Sequence, residues 1–179
     1  LIPCEKLHVE IGSGKGDYWI GMAHQYPSDG WIGIERNTDV AGIAVKKSAG
    51  QVLDTMKFIH GDAEDLRLWF APKEVDVIHL NFSDPWPKKR NTKRRLTSDG
   101  FLDQYASVLA DDGMIQFKTD NVKLFEYSLV SFSKAGWEFS EVSVDYRREP
   151  HEEDVITEYE QSFMDLGQPI YRAVLVKKH

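Results

Sequence analysis

Short apolar runs bounded by Gly, Asp or Pro alternate with longer amphipathic segments along all 179 residues of this chain, and no other property restricts its fold as tightly. The runs predict strands at Leu7–Ile11, Trp31–Glu35, Met56–His60, Val75–Phe82, Met114–Lys118, Glu138–Val144 and Ile170–Lys177. Several are almost continuously apolar, as strands buried on both faces should be. The segments between them predict helices at Asp17–Tyr26, Thr38–Lys47, Ala63–Phe70, Ser98–Leu109, Val122–Ala135 and Glu158–Leu166. This alternation specifies an α/β fold, a mostly parallel seven-stranded sheet with helices on both faces. Ligands of such sheets sit outside the carboxyl ends of the strands, so functional residues are expected in the strand-to-helix loops.

With 41% apolar residues the chain can bury one sizeable core, and residues 1–179 are read as a single domain. No apolar run approaches the roughly 18–20 residues that span a bilayer, which argues against a membrane partner. The opening "LIPCEKLHVEIG" has no basic segment followed by an apolar one, so no signal peptide is expected. It also lacks an initiator Met, and the reading is of a chain missing an N-terminal piece. Cys4 is the one cysteine, which rules out an internal disulfide and suits a reducing cytoplasm. The six His show no metal-ligand spacing, so no metal site is expected. Monomer and homodimer both stay open.

The first loop reads "HVEIGSGKGDYW". Gly12, Gly14 and Gly16 permit positive φ and close approach of a ligand to the backbone. A dinucleotide fingerprint would need Gly at position 17, where Asp17 stands and would compete with a pyrophosphate for the helix N–H groups. Glu35 ends the second strand, where an acid accepts from ribose hydroxyls. Asp62 lies in the next loop, within reach of an adenine amino group, and Glu10 flanks the glycines. Each acid alone could be a solvated turn or a helix cap. Together at successive strand ends they suit a ligand with a ribose, an adenine and a positive end but no phosphates: S-adenosylmethionine.

After the fourth strand comes Ser83-Asp84-Pro85-Trp86-Pro87, a loop stiffened by two prolines that holds Asp84 at the sheet's carboxyl edge. Six basic side chains then fall in the eight positions Lys88–Arg95, in a chain with 22 Lys+Arg against 29 Asp+Glu. Such a run can be merely a solvated surface. Beside this loop, in an acidic protein, it reads as a docking surface for the phosphates of a nucleic acid.

At "VEIGSGKG", "GIE", "GDAEDL", "DPWPKKRNTKRR", "FKTDN" and "TEYEQSFMDLGQPIY", over essentially the whole chain, the sequence resembles the bacterial tRNA (guanine-N7)-methyltransferases. Ser83 stands where that family more often has proline and Asn91 where it often has histidine, and the family usually carries a further N-terminal segment. The resemblance implies a Rossmann-like class I methyltransferase fold and methyl transfer from S-adenosylmethionine to N7 of guanine 46 in the tRNA variable loop. It implies cofactor contacts from Glu10, Gly12, Gly14, Glu35, Asp62, Ala63 and Asp84, with Asp84 also catalytic. Lys88, Asp120, Thr157, Glu158, Tyr159 and Glu160 match its substrate-binding positions, and Arg90, Asn91, Thr92, Lys93, Arg94 and Arg95 its RNA-contacting stretch.

Guanine N7 carries a free in-plane lone pair, so the reaction needs alignment and electrostatics rather than a general base. Asp120 could instead cap the helix at Val122, and Thr157 with Glu160 fits a capping box. Trp86 could stack on a base or pack. The rival activities are methylation of adenine N6, whose Asp-Pro-Pro-aromatic motif orders its third and fourth residues differently, and RNA binding without catalysis, which would not need the cofactor acids. A small-molecule methyltransferase would not need the basic run.

Overall fold

The computed structural model describes residues 3–178; Leu1, Ile2 and His179, at the ends of the expected 1–179 unit, lie outside them. The strands are β1 (Leu7–Ile11), β2 (Gly30–Glu35), β3 (Met56–His60), β4 (Val75–Asn81), β5 (Leu109–Thr119), β6 (Glu138–Ser143) and β7 (Tyr171–Val176). The helices are α1 (Asp17–Gln25), α2 (Thr38–Ser48), α3 (Leu66–Trp69), α4 (Asp99–Val108), α5 (Val122–Lys134) and α6 (Glu158–Asp165). One sheet runs β3-β2-β1-β4-β5-β7-β6, parallel from β3 to β5 and antiparallel at β7. The expected fold class is therefore the one formed.

Three local departures have physical causes. β5 begins at Leu109, not Met114: Leu109 pairs with Val75, the register then shifts, and pairing resumes at Met114 opposite Val77. The expected helix at 63–70 divides into a 3₁₀ turn, Ala63–Asp65, and the single turn of α3. The basic stretch, for which no element was expected, winds into 3₁₀ helix over Lys89–Arg94.

Period-two alternation gives the sheet two unlike faces. Leu7, Val9, Ile11, Ile32, Ile34, Ile78, Leu80, Ile115 and Phe117 point to the face covered by α3, α4 and α5 and join the main apolar core. Each large side chain buried there stabilises the fold by about 1.5–3 kcal/mol. The opposite face is aromatic and polar. Trp31 and Met56 meet Tyr18, Trp19 and Met22 of α1, and the buried His8 and His79 sit among them with Nδ1 and Nε2 2.9 Å apart. His8 also bonds Asp29 at 2.8 Å and stacks on Trp31. Burial lowers both imidazoles from their ordinary value.

Gly12, Gly14 and Gly16 all take positive φ, which shapes the turn out of β1. Gly33 leaves room for Ser13, whose Oγ would lie 2.8 Å from a Cβ there. That hydroxyl donates to the Glu10 carbonyl and accepts from the Ile34 N–H, which locks the loop to β2.

Candidate active site

A cavity of about 940 Å³ opens at the carboxyl ends of β1 to β5. Glu10, Gly12, Gly14, Glu35, Asp62, Ala63 and Asp84 all line it, so the first four strand ends deliver their expected residues to one place. Thr157, Glu158, Tyr159 and Glu160 line it from the far side, and Arg36, Trp86 and Arg94 also form part of its wall. Lys88, Arg90, Asn91, Thr92, Lys93, Arg95 and Asp120 do not line it.

Glu10 is 3% exposed. Its Oε2 accepts from Asn81 Nδ2 at 3.0 Å, while the buried Oε1 has no hydrogen-bond partner. Burial pushes the Glu10 carboxyl up to about 8, against the pull of the Asn81 bond and the Lys118 charge. An unpaired buried carboxyl oxygen is costly, and in a cavity wall it suits a cationic or hydrogen-bonding ligand. Glu35 accepts from the Gly14 N–H at 3.0 Å and the Asn37 N–H at 2.9 Å, one bond per oxygen, which leaves each oxygen free to accept another. Asp62 caps the 3₁₀ turn by accepting from the Glu64 N–H at 3.0 Å. These acids thus bond backbone N–H groups and still keep acceptor capacity.

Asp84 is exposed, on a loop with two non-glycine residues in the left-handed region, Phe82 at φ 55° and Trp86 at φ 42°. Such backbone persists only where the surroundings enforce it. The Phe82 N–H donates to the Lys118 carbonyl at 2.9 Å, and the Phe82 ring packs on Tyr159 and Phe163 of α6. The Trp86 ring lies against two guanidinium groups, Arg36 at 5.3 Å and Arg94 at 5.1 Å.

Asp120 is not the cap of α5. Asn121 accepts from the Leu124 N–H at 2.9 Å, and partial burial raises the Asp120 carboxyl above its usual value. Burial raises the Tyr159 phenol, and the nearby Asp120 and Asp84 charges push it the same way. Thr157 caps α6 through the Glu160 N–H at 3.2 Å, but only half of the capping box forms. The Glu160 side chain turns inward, away from Thr157. It meets Lys118 Nζ at 2.7 Å and the Arg147 guanidinium.

Sequence reasoning missed this inner group. Lys118, Arg147, Asp154 and Glu160 form a buried set of two cations and two anions, each side chain no more than 5% exposed. Asp154 takes Lys118 at 2.7 Å, Arg147 at 2.7 Å and the Tyr18 hydroxyl at 2.6 Å. Burial alone would raise its carboxyl, but Lys118, Tyr18 and Arg147 hold it below the usual range. Asn81 was missed too; it is a polar residue at the end of an apolar run, and that position was the available signal.

The model of the family described as "Putative methyltransferase" matches residues 4–173. A tRNA (guanine-N(7)-)-methyltransferase of Oceanobacillus iheyensis is 49% identical over 166 residues, 93% of this chain and 78% of that protein. The protein of the same name from Limosilactobacillus reuteri is 48% identical over 171 residues, 95% of this chain and 80% of that one. Among solved structures, the 16S rRNA methyltransferase KamB superposes with a TM-score of 0.70 at 14% identity, covering 98% of this chain and 90% of that one. A SAM-dependent methyltransferase from Aquifex aeolicus gives 0.66 at 11% identity, over 98% and 84% of the two chains. At such identities the likeness is one of fold.

Proposed function

The chain belongs to the tRNA (guanine-N7)-methyltransferase family, and we propose that it methylates N7 of a guanine in tRNA, guanine 46 of the variable loop, using S-adenosylmethionine. The observation that carries this reading is the convergence on one cavity of the cofactor acids and of Asp84, whose loop runs straight into the basic stretch.

The donor set fits the cofactor. Glu35 has acceptor capacity for two ribose hydroxyls, Asp62 and Ala63 line the cavity and are assigned to the adenine edge, and the unpaired Glu10 oxygen is assigned to the cofactor's positive end. Gly12 and Gly14 keep the loop backbone open to close approach. When bound, S-adenosylmethionine supplies a methyl group on a sulfonium. The chain's own task is to align guanine N7 with that methyl and to offset positive charge as it passes to the base. Asp84 is the catalytic residue in this sense, a carboxylate beside the reacting atoms and not a proton acceptor. Thr157, Glu158 and Tyr159, which line the cavity, are assigned to the guanine edge, and so is Asp120, which lies near Tyr159 but outside the cavity wall. Glu160, fully committed to Lys118 and Arg147, holds that side of the pocket in shape.

Lys88, Lys89, Arg90, Lys93 and Arg94 present exposed charge beside the cavity, with Asn91 and Thr92 between them, and they are assigned to tRNA phosphates. One unit, residues 1–179, would carry both cofactor and RNA surfaces. No helix among the described residues is long and apolar enough to cross a membrane. The cytoplasm is the compartment that an activity on tRNA fits.

The test is incubation with methyl-labelled S-adenosylmethionine and unmodified tRNA, followed by nucleoside analysis. Label should appear as 7-methylguanosine and vanish when guanine 46 of the transcript is replaced by adenine. Label in N6-methyladenosine, or none, would overturn the reading.

A further inference from the structure

The six cations of the basic stretch are not equivalent. Lys88, Lys89, Arg90, Lys93 and Arg94 are exposed, but Arg95 is half-buried. Its Nε and Nη2 both donate to the carbonyl oxygen of Trp86, at 3.2 and 3.1 Å. Its guanidinium plane lies over the ring of Tyr127, a residue of α5, 4.4 Å from the centroid. Immediately beyond Arg95 the chain is fixed to the core. The Tyr105 hydroxyl donates to the Leu96 carbonyl at 2.8 Å, Thr97 and Ser128 share a hydroxyl hydrogen bond at 2.7 Å, and Ser131 donates to the Thr97 carbonyl at 2.6 Å. Arg95 thus stands on the anchored side of the stretch, and the residues before it on the free side.

What Arg95 grips is the strained point of the loop. Trp86 is a bulky residue at φ 42°, a conformation its own side chain disfavours and its surroundings must impose. Pro85 alone separates it from Asp84, and the fixed φ of proline transmits the position of one to the other.

We propose that Arg95 is a positioning residue, not a phosphate ligand: it clamps the Trp86 carbonyl against α5 and so fixes the turn that presents Asp84 to the reacting centre. This rests on the methyl-transfer reading for the role of Asp84. The clamp also joins the two halves of the site. Arg94, the neighbour of Arg95 and an exposed phosphate candidate, lies against the ring of the same Trp86 whose carbonyl Arg95 holds. A lysine cannot replace the clamp, since it has neither a planar fork whose two N–H groups converge on one oxygen nor a flat face for the ring.

The test separates charge from geometry. Arg95→Lys keeps the charge, and Arg95→Ala removes it; both should lower the methyl-transfer rate at saturating tRNA and cofactor at least tenfold. Neither should change the slope of log tRNA affinity against log salt. Lys93→Ala, a lost phosphate contact, should make that slope shallower by about 0.7–0.9. Trypsin supplies a readout that needs no substrate: cleavage between Lys88 and Arg94 should quicken severalfold in Arg95→Lys, and likewise in Tyr127→Leu, should Arg95→Ala fail to fold. A slope in Arg95→Ala as shallow as in Lys93→Ala, with the saturating rate unchanged, would show a phosphate ligand and overturn the proposal. A trypsin rate unaltered by Arg95→Lys would overturn the clamp itself. A wild-type protein that methylates no tRNA would instead overturn the functional reading beneath it.

Discussion

Glu10, Glu35, Asp62 and Asp84 stand at the ends of β1 to β4, and Asp154 and Glu160 approach the same cavity from the C-terminal segment, yet the two groups are built differently. The first group keeps acceptor capacity in reserve. Glu10 has a bare oxygen, Glu35 spends one bond per oxygen on backbone N–H groups, and Asp84 is exposed to the cavity. The second group is saturated: Lys118, Arg147 and Tyr18 take up Asp154 and Glu160 in full burial. A carboxylate that binds a ligand has to tolerate incomplete pairing in the free protein. One that holds a fold does not, since a buried charge is costly unless it is completely paired.

The contrast breaks most easily at Lys118. Lys118→Met leaves two buried carboxylates with Arg147 as their one remaining cation, and removing one partner of such a set should cost about 3–5 kcal/mol of stability. Urea unfolding measures it, and a loss below about 1 kcal/mol would mean that the inner group is not structural. Asp84→Asn should do the opposite. Single-turnover methyl transfer should fall about a hundredfold, the scale of removing one preorganised electrostatic group. Its unfolding midpoint should stay where it is, and wild-type turnover would reduce Asp84 to a loop residue.

Glu35→Ala should weaken S-adenosylmethionine by about ten- to a hundredfold, the loss of charge-assisted hydrogen bonds worth roughly 1.5–3 kcal/mol. Calorimetry decides it, and unchanged affinity would remove the ribose assignment.

The smallest effect belongs to Glu10. Its carboxyl in the fold titrates near 8, against an ordinary value of 4.5. The folded state therefore keeps a proton that the unfolded chain surrenders, and this group's contribution to stability declines as pH rises through that window. Asn81, Ser13, Lys118, Asp154 and Tyr18 are the groups that act on it from the neighbouring elements. A cation bound beside Glu10 favours the ionised form, so cofactor binding at pH 7 should release up to one proton. Titration in buffers of different ionisation heat would detect the release. Glu10→Gln should abolish both effects, and a proton release that survives in Glu10→Gln would move the linkage to another group.

How far the sequence shows this contrast follows from the range of the interactions. The cavity acids were legible because they sit at strand ends, and strand ends follow from local apolar runs. Asp84 was legible because two prolines and a basic run frame it in adjacent positions. The inner group was not legible, because Lys118 pairs with residues 36 and 42 positions away and a lysine in a strand ordinarily reads as exposed. For the same reason Glu160 looked like a capping-box partner until the fold offered it Lys118. Arg95 is the clearest case. It belongs to the basic run by composition, and only the return of the chain past Trp86 and α5 separates it from its neighbours. The bulged start of β5 stayed hidden because Ala110-Asp111-Asp112-Gly113 reads as a turn.

The sheet order carries one more consequence, for the sequence in which the protein comes apart. β7 lies between β5 and β6, so among the described residues β6 bonds to the sheet through β7 and through no other strand. β7 cannot leave β5 without carrying β6 away from the sheet, and Glu160 and Asp154, in the connection that leads to β7, hold that connection to Lys118 on β5. The C-terminal third is thus latched to the parallel half by the β5–β7 ladder, by Lys118 and by the Tyr18 hydroxyl on Asp154. Native-state hydrogen exchange should find the amides of β6, β7 and α6 opening as one cooperative unit. The parallel strands β1 to β4 should exchange only with global unfolding.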